Sequence, residues 1–318
     1  TWWISNDRAR RTTEKDFPPQ LGRPPPEEPT ARRTHRPKKG PAEAARAARP
    51  ILPVHSRPTN THSVAAPTVQ SMYYGLRYAA LRAQRIRWLF VLGHMRSGSS
   101  VLVHVLNSNP EILGYGETHM TYVGRRSLVQ LYDHVLERFE SHGTDPDTAY
   151  RYVMDKILWP HIYSKRVLQT VPLNVIVVVR HPEDTLPSIL SRDLKNIQTS
   201  SEALQYYTNS LDRIAANLHA YDAPYVLVRY EDLTRHTSRA LRRMSEYLGL
   251  DQRLTERYQT TWATGAPGIG DSSENIHEGK IAPSDSSYDV EVDGDVVARA
   301  EDAYLSFLRE WRPNGTTT

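Results

Sequence analysis

The stretch from Trp88 to Ser108, W-L-F-V-L-G-H-M-R-S-G-S-S-V-L-V-H-V-L-N-S, constrains the fold more than any other part of the chain. Trp88 to Leu92 is a short apolar run, the pattern of a strand buried on both faces in a parallel sheet. Gly93 and Gly98 bracket a loop. Ser99 and Ser100 open a helix, and Val101, Leu102, Val105 and Leu106 give it a packing face until Asn107 to Pro110 ends it. Strand, glycine loop and helix in this order make a phosphate cradle. Glycines let backbone N–H groups converge on an anion, the helix N-terminus adds partial positive charge, and the two hydroxyls and Arg96 supply further donors.

Gly93-x4-Gly98 has the spacing of a nucleoside-triphosphatase loop, but Ser99 stands where that loop carries its lysine. The cation has moved upstream to Arg96, which leaves a β/γ-phosphate pair poorly neutralised and counts against an ATPase, a GTPase or a kinase. Arg96-Ser97-Gly98-Ser99-Ser100 resembles instead the 5'-phosphosulfate loop of the sulfotransferase family, which reads [KR]-S-G-[TS]-[TS]. The plainer alternative is an ordinary Gly/Ser turn.

The chain has 318 residues, room for one large α/β domain or two small ones. Its pI is near 9.1, but the charge is uneven. Residues 1–70 hold 13 Lys+Arg against 6 Asp+Glu, net +7, and the remainder 27 against 30, net −3. The folded part is thus near neutral, and basicity is no argument for a nucleic-acid partner. The first segment also carries 12 of the 22 prolines, so residues 1–71 are expected to be a disordered, basic, Pro-rich extension, dispensable for the fold. One reading is that residues before Met72 do not belong to the native product. Residues 1–30 lack an apolar core for a secretory signal, and no apolar run is long enough to cross a bilayer. Cysteine is absent, which excludes disulfides and thiolate chemistry and makes a cytoplasmic protein the simplest expectation.

Ser71 to Arg87 is basic and partly helical; its apolar face is weak for a membrane surface, so a lead-in helix packed on the domain is expected. Glu111 to Tyr115 reads as a short strand delivering Gly116-Glu117-Thr118-His119, and Ser127 to Phe139 as an amphipathic helix in which His134 has no assigned role. A helix is expected from about Thr148 to Ile157, carrying Asp155-Lys156. In the resembling family a glutamate soon after the first helix and strand sits beside the transferred sulfonyl group. Glu117 matches that place, with His119 as the competing base. A lysine from a D-K segment approaches the same group in many members, and Lys156 matches it loosely; the alternative is an exposed charged pair.

The second strong stretch is N-V-I-V-V-V-R-H-P-E-D-T-L-P-S-I-L-S-R, from Asn174 to Arg192. Val175 to Val179 reads as a central strand with Arg180 at its C-terminal end, where ligands bind in open α/β sheets. Pro182 opens a helix bearing Ser188. The family binds a nucleotide 3'-phosphate through R-x-P-x5-S, which Arg180, Pro182 and Ser188 fit. Helices are further expected around Leu204–Leu218, Leu241–Leu248 and Val296–Trp311, with a strand at Tyr225–Arg229. Glu231, in V-R-Y-E-D-L, is read as structural. The loop Gly265–Ile281 resembles the family's late nucleotide-covering loop, which would bring Gly279 and Lys280 to the 3'-phosphate.

The expected fold is one three-layer α/β domain over residues 72–312, mainly parallel and P-loop NTPase-like, with 313–318 as a tail. The resemblance implies a sulfotransferase using 3'-phosphoadenosine 5'-phosphosulfate (PAPS) as co-substrate, with no metal. Its catalytic residues would be Glu117, Arg96 and Lys156, and its nucleotide site Arg96, Ser97, Gly98, Ser99, Ser100, Arg180, Ser188, Gly279 and Lys280. The partner would be a hydroxyl-bearing acceptor: carbohydrate, glycolipid, peptide or small alcohol, with a slight lean to the first two. A kinase lacking its loop lysine and an inactive nucleotide-binding protein are the alternatives.

Overall fold

The computed structural model describes residues 68–143, 150–158, 164–169, 172–192, 194, 196–265, 274–283 and 288–311. The expected N-terminal extension and C-terminal tail lie outside them, apart from residues 68–71. These four belong to the first helix, α1 (Val69–Ala83), whose N-cap Thr68 accepts a hydrogen bond from Ser71 N. The fold therefore begins before Met72.

Among the described residues, five parallel strands follow the order β2-β3-β1-β4-β5. They are β1 (Arg87–Gly93), β2 (Ile112–Leu113), β3 (Tyr152–Leu158), β4 (Leu173–Val179) and β5 (Val226–Arg229). Between them run α2 (Ser99–Asn107), α3 (Arg125–Ser141), α4 (Lys165–Leu168), α5 (Pro182–Leu190) and α6 (Ser200–Ala220). After β5 come α7 (Tyr230–Arg235), α8 (Thr237–Leu248) and α9 (Gly294–Glu310).

Because side chains alternate along a strand, each central strand feeds two cores. Trp88, Phe90 and Leu92 of β1 and Val175, Val177 and Val179 of β4 point to one face, where residues of α1, α3, α5, α6 and α9 cover them. Leu89, Val91, Ile176 and Val178 point to the other, under α2 and α8. Burial on both faces explains why these strands read as unbroken apolar runs. On the first face Trp88 is fully buried, stacks on Tyr78 with ring centroids 5.3 Å apart, and donates through Nε1 to Leu128 O at 2.9 Å.

One expected element is wrong. The segment carrying Asp155-Lys156 is strand β3, not a helix, and all seven of its residues are buried between β2 and β1. The adjacent charges break the apolar run, so Y-V-M-D-K-I-L does not look like a strand with two buried faces. Its neighbours impose that state: Lys156 is in register with Val91, and Asp155 with Phe90.

Candidate active site

The glycine loop leaves the C-terminal end of β1, at the edge where open parallel sheets bind ligands. Gly93 is in register with Val178. A Cβ there would lie 3.0 Å from Val178 O and 3.0 Å from Ser97 Oγ, so a side chain would crowd the loop against the β4 backbone. Gly98 caps α2 with φ 84°, and a Cβ on it would run 2.2 Å from the Tyr230 ring. Beyond it, the first-turn amides of Ser99, Ser100 and Val101 have no partner within the helix. The Ser97 hydroxyl is buried without a hydrogen-bond partner among the described residues, a donor left over for a ligand.

Neighbouring elements hold the loop in shape. His94 is fully buried, and its ring links Met95 O (Nδ1, 2.8 Å) to Arg180 N (Nε2, 3.2 Å). The Arg180 amide can only donate, so Nε2 accepts and Nδ1 carries the proton. Burial keeps this ring neutral, with its pKa lowered to about 4. Met95 N donates to Tyr206 Oη of α6 at 2.9 Å. Arg96, at φ 63°, donates from Nε to Ser188 Oγ of α5 at 2.7 Å. The loop arginine and the serine of the second motif thus meet, although 92 residues separate them in the chain.

β3 supplies the other side. Its alternation sends Asp155 and Lys156 to opposite faces. Lys156 emerges beside α2, where its ammonium contacts Glu117 Oε1 at 3.0 Å and donates to Ser100 Oγ at 3.2 Å; its side chain is almost wholly buried. It is not half of an exposed charged pair: it ties Glu117 to the first turn of α2. Asp155 emerges on the α3 side and accepts from Thr118 N (2.9 Å), Thr118 Oγ1 (2.8 Å) and Tyr122 Oη (2.5 Å). These bonds, with Lys156 N donating to Gly116 O at 3.1 Å, set the backbone on both sides of Glu117. Burial pushes the Asp155 carboxyl up to about 6, against the pull of its hydrogen bonds.

Arg180 is buried at the end of β4, within 3.3 Å of Asp184 Oδ2 and 4.4 Å above the Tyr230 ring. Its Nε is buried without a hydrogen-bond partner among the described residues. Tyr230 therefore both covers Gly98 and supports Arg180. Glu231 accepts from His181 N at 2.8 Å, consistent with a structural role. His119 is exposed with φ 55°, and His134 bonds Tyr115 Oη at 2.7 Å.

The late loop is only partly described, since residues 266–273 lie outside the described residues. Gly279 has φ 66° and accepts from Tyr258 N at 2.8 Å. Lys280 bridges Arg257 and pairs with Glu256 at 3.5 Å, not with the glycine loop. The structure thus gathers Glu117, Arg96, Ser97–Ser100, Lys156, Arg180 and Ser188 around the end of β1 and gives Lys280 a different partner. Residues that sequence reasoning missed are Asp155, Thr118, Tyr122, His94, Tyr206 and Tyr230. The available signal was a charged pair inside an otherwise apolar segment, which in a buried strand demands partners.

The arrangement defines a class: a P-loop-like α/β protein that can cradle an oxyanion beside a carboxylate able to move a proton. Residues 119–254 match the model of the sulfotransferase family. Over those residues the chain is similar to sulfotransferases. The matched span carries Lys156, Arg180 and Ser188, while the glycine loop and Glu117 precede it. Among solved structures, the sulfotransferase domain from the curacin biosynthetic pathway is 16% identical, over 69% of this chain and 96% of that one, with TM-score 0.43. Sulfotransferase STF9 from Mycobacterium avium is 13% identical, over 76% of this chain and 81% of that one, with TM-score 0.42. No curated protein matches the chain.

Proposed function

We propose that the chain is a sulfotransferase that takes its sulfonyl group from PAPS and delivers it to an acceptor hydroxyl, of carbohydrate or glycolipid type, with Glu117 as general base. The observation that carries the reading is the Lys156 ammonium, which touches the Glu117 carboxylate on one side and the Ser100 hydroxyl of the cradle on the other. A base and an anion site joined by one buried cation suit a reaction in which a hydroxyl is deprotonated while an anionic group departs a few ångströms away.

In this mechanism the acceptor oxygen attacks sulfur in line. A new S–O bond forms, the bond between sulfur and the 5'-phosphate oxygen breaks, and its electrons leave on adenosine 3',5'-bisphosphate. The acceptor proton passes to Glu117. The α2 amides, Ser97, Ser99, Ser100, Arg96 and Lys156 receive the charge that builds on the departing phosphate. The buried Arg180 Nε, which has no hydrogen-bond partner among the described residues, and the Ser188 hydroxyl supply donors for a phosphate on the ribose 3' oxygen, a group that ATP lacks.

Glu117→Gln tests the base. Turnover should fall about 10²–10⁴-fold, the range of a lost general base. Thermal stabilisation by adenosine 3',5'-bisphosphate, about 2.7 kcal/mol at a hundred times its dissociation constant, should remain. An unchanged rate removes Glu117 from the mechanism, and a comparable loss in His119→Ala alone transfers the role to His119. Stabilisation by Mg-ATP in place of the bisphosphate overturns the donor.

A further inference from the structure

Helix α1 has two apolar faces, and the fold uses only one. Tyr74, Tyr78 and Leu81 turn inward and join the core beneath α3. On the other side Val69, Met72, Tyr73 and Leu76 are 86%, 55%, 56% and 72% exposed, and exposed Ala80 and Ala83 extend the same stripe at steps of three and four residues. Only six large apolar side chains stand exposed among the described residues, and four of them are on this helix. A fifth, Val123, stands at the entry to α3, beside Arg125 and Arg126, whose guanidiniums lie over the α1 rings of Tyr78 and Tyr74. Scattered exposed apolar residues are ordinary, but a stripe along one face marks a contact surface.

Along the chain, the charge on and after the helix has one sign. No Asp or Glu occurs between Thr68 and Pro110, while Arg77, Arg82, Arg85 and Arg87 fall on and just after the helix. Arg85 and Arg87 are exposed, and Arg77 pairs with Asp133 of α3 at 3.3 Å.

We propose that α1 is an interfacial helix that docks the protein on an anionic lipid surface. The stripe from Val69 to Ala83 would lie at the boundary of the acyl chains, and Arg82, Arg85 and Arg87 would meet the headgroup phosphates. The charge argues against a second copy of this chain as the occupant. A two-fold contact through the same face would set arginine against arginine, with no carboxylate on α1 to pair them. No helix among the described residues is long and apolar enough to cross a membrane, and α1, with 15 residues, lies on the surface rather than through it.

The test is co-sedimentation of the full chain with vesicles of phosphatidylcholine mixed with phosphatidylglycerol, set beside phosphatidylcholine alone. The protein should pellet with the anionic vesicles, be released as salt rises, and stay in solution with the neutral ones. Met72→Glu/Leu76→Glu should lower the partition about tenfold or more. Both side chains are mostly exposed, so the thermal midpoint and stabilisation by adenosine 3',5'-bisphosphate should not change. Absence from the anionic pellet, equal binding to neutral vesicles, or undiminished binding by the double variant overturns the proposal. So does a dimer, seen by light scattering, that the double variant splits, because it would place a second copy on this face.

Discussion

Replacing Asp155 by asparagine should expose a pH dependence of stability that the native chain hides. Two buried groups beneath the site titrate in one window with opposite effects. The Asp155 carboxyl moves from its ordinary 3.8 to about 6 on folding, chiefly through burial, with the Glu117 charge adding to the rise. Between those values the folded chain keeps a proton that the unfolded chain has released. The resulting stability is complete below pH 3.8 and is lost as pH rises through about 6. At about 1.4 kcal/mol per pH unit the loss is about 3 kcal/mol. His94 moves from 6.5 down to about 4, again chiefly through burial. Here the unfolded chain binds a proton that the folded chain refuses, so stability is complete above pH 6.5 and about 3 kcal/mol is lost as pH falls to about 4. The two slopes nearly cancel.

In Asp155→Asn the new side-chain amide would keep an acceptor for Thr118 N, and the Thr118 and Tyr122 hydroxyls can turn to accept from its NH₂ group. The variant should therefore fold while losing the Asp155 titration. Urea unfolding of both proteins at pH 4.5, 5.5 and 6.5, followed by tryptophan fluorescence, gives a difference in stability from which the background carboxylates cancel. That difference should shift by about 2 kcal/mol across the series, with the variant losing ground as the solution becomes more acid. His94→Gln should shift it in the opposite direction. A difference that does not vary with pH would refute the reasoning, because it would mean that Asp155 titrates alike in both states.

Lys156→Met should abolish turnover and destabilise the fold, because the largely shielded Glu117 carboxylate loses the Lys156 ammonium 3.0 Å away. Combining it with Glu117→Gln should cost less than the two single changes together, and strict additivity would deny the pair. Gly98→Ala should lower stability by about 1–3 kcal/mol, through its positive φ and its approach to Tyr230. Tyr230→Ala should restore part of that loss in the double variant; no restoration would remove the ring as the cause. Trp88→Phe should cost about 1–3 kcal/mol in urea by removing the Nε1 bond to Leu128 O and part of the buried ring, with bisphosphate stabilisation retained. A variant as stable as the native chain would show that the bond contributes nothing.

The elements legible in the sequence were those whose signal is local. The run Trp88–Leu92, the glycines on either side of the loop and the apolar face of α2 are set by neighbours in the chain, and so are Val175–Val179 and the proline that opens α5. A buried parallel strand needs no distant information to look like one, and a backbone that must carry positive φ calls for glycine. The strand, glycine loop and helix, and the arginine at the end of β4, could therefore be read from residue order alone.

What only the tertiary structure decided is whatever depends on which strand lies beside which. Asp155 and Lys156 read as an exposed pair on a helix because charge normally seeks water. Inserted between β2 and β1, the same two residues are buried and point to opposite faces, and each becomes stable through partners far away in the chain: Thr118 and Tyr122 for one, Ser100 and Glu117 for the other. The meeting of Arg96 with Ser188 and the cover that Tyr230 gives Gly98 arise in the same way. Lys280 shows the converse, since proximity to a glycine in sequence did not decide its partner, and Glu256 did. Local sequence sets what a segment can be. The pairing of distant segments sets the dielectric and the partners around each charge, and these determine which charges can do chemistry.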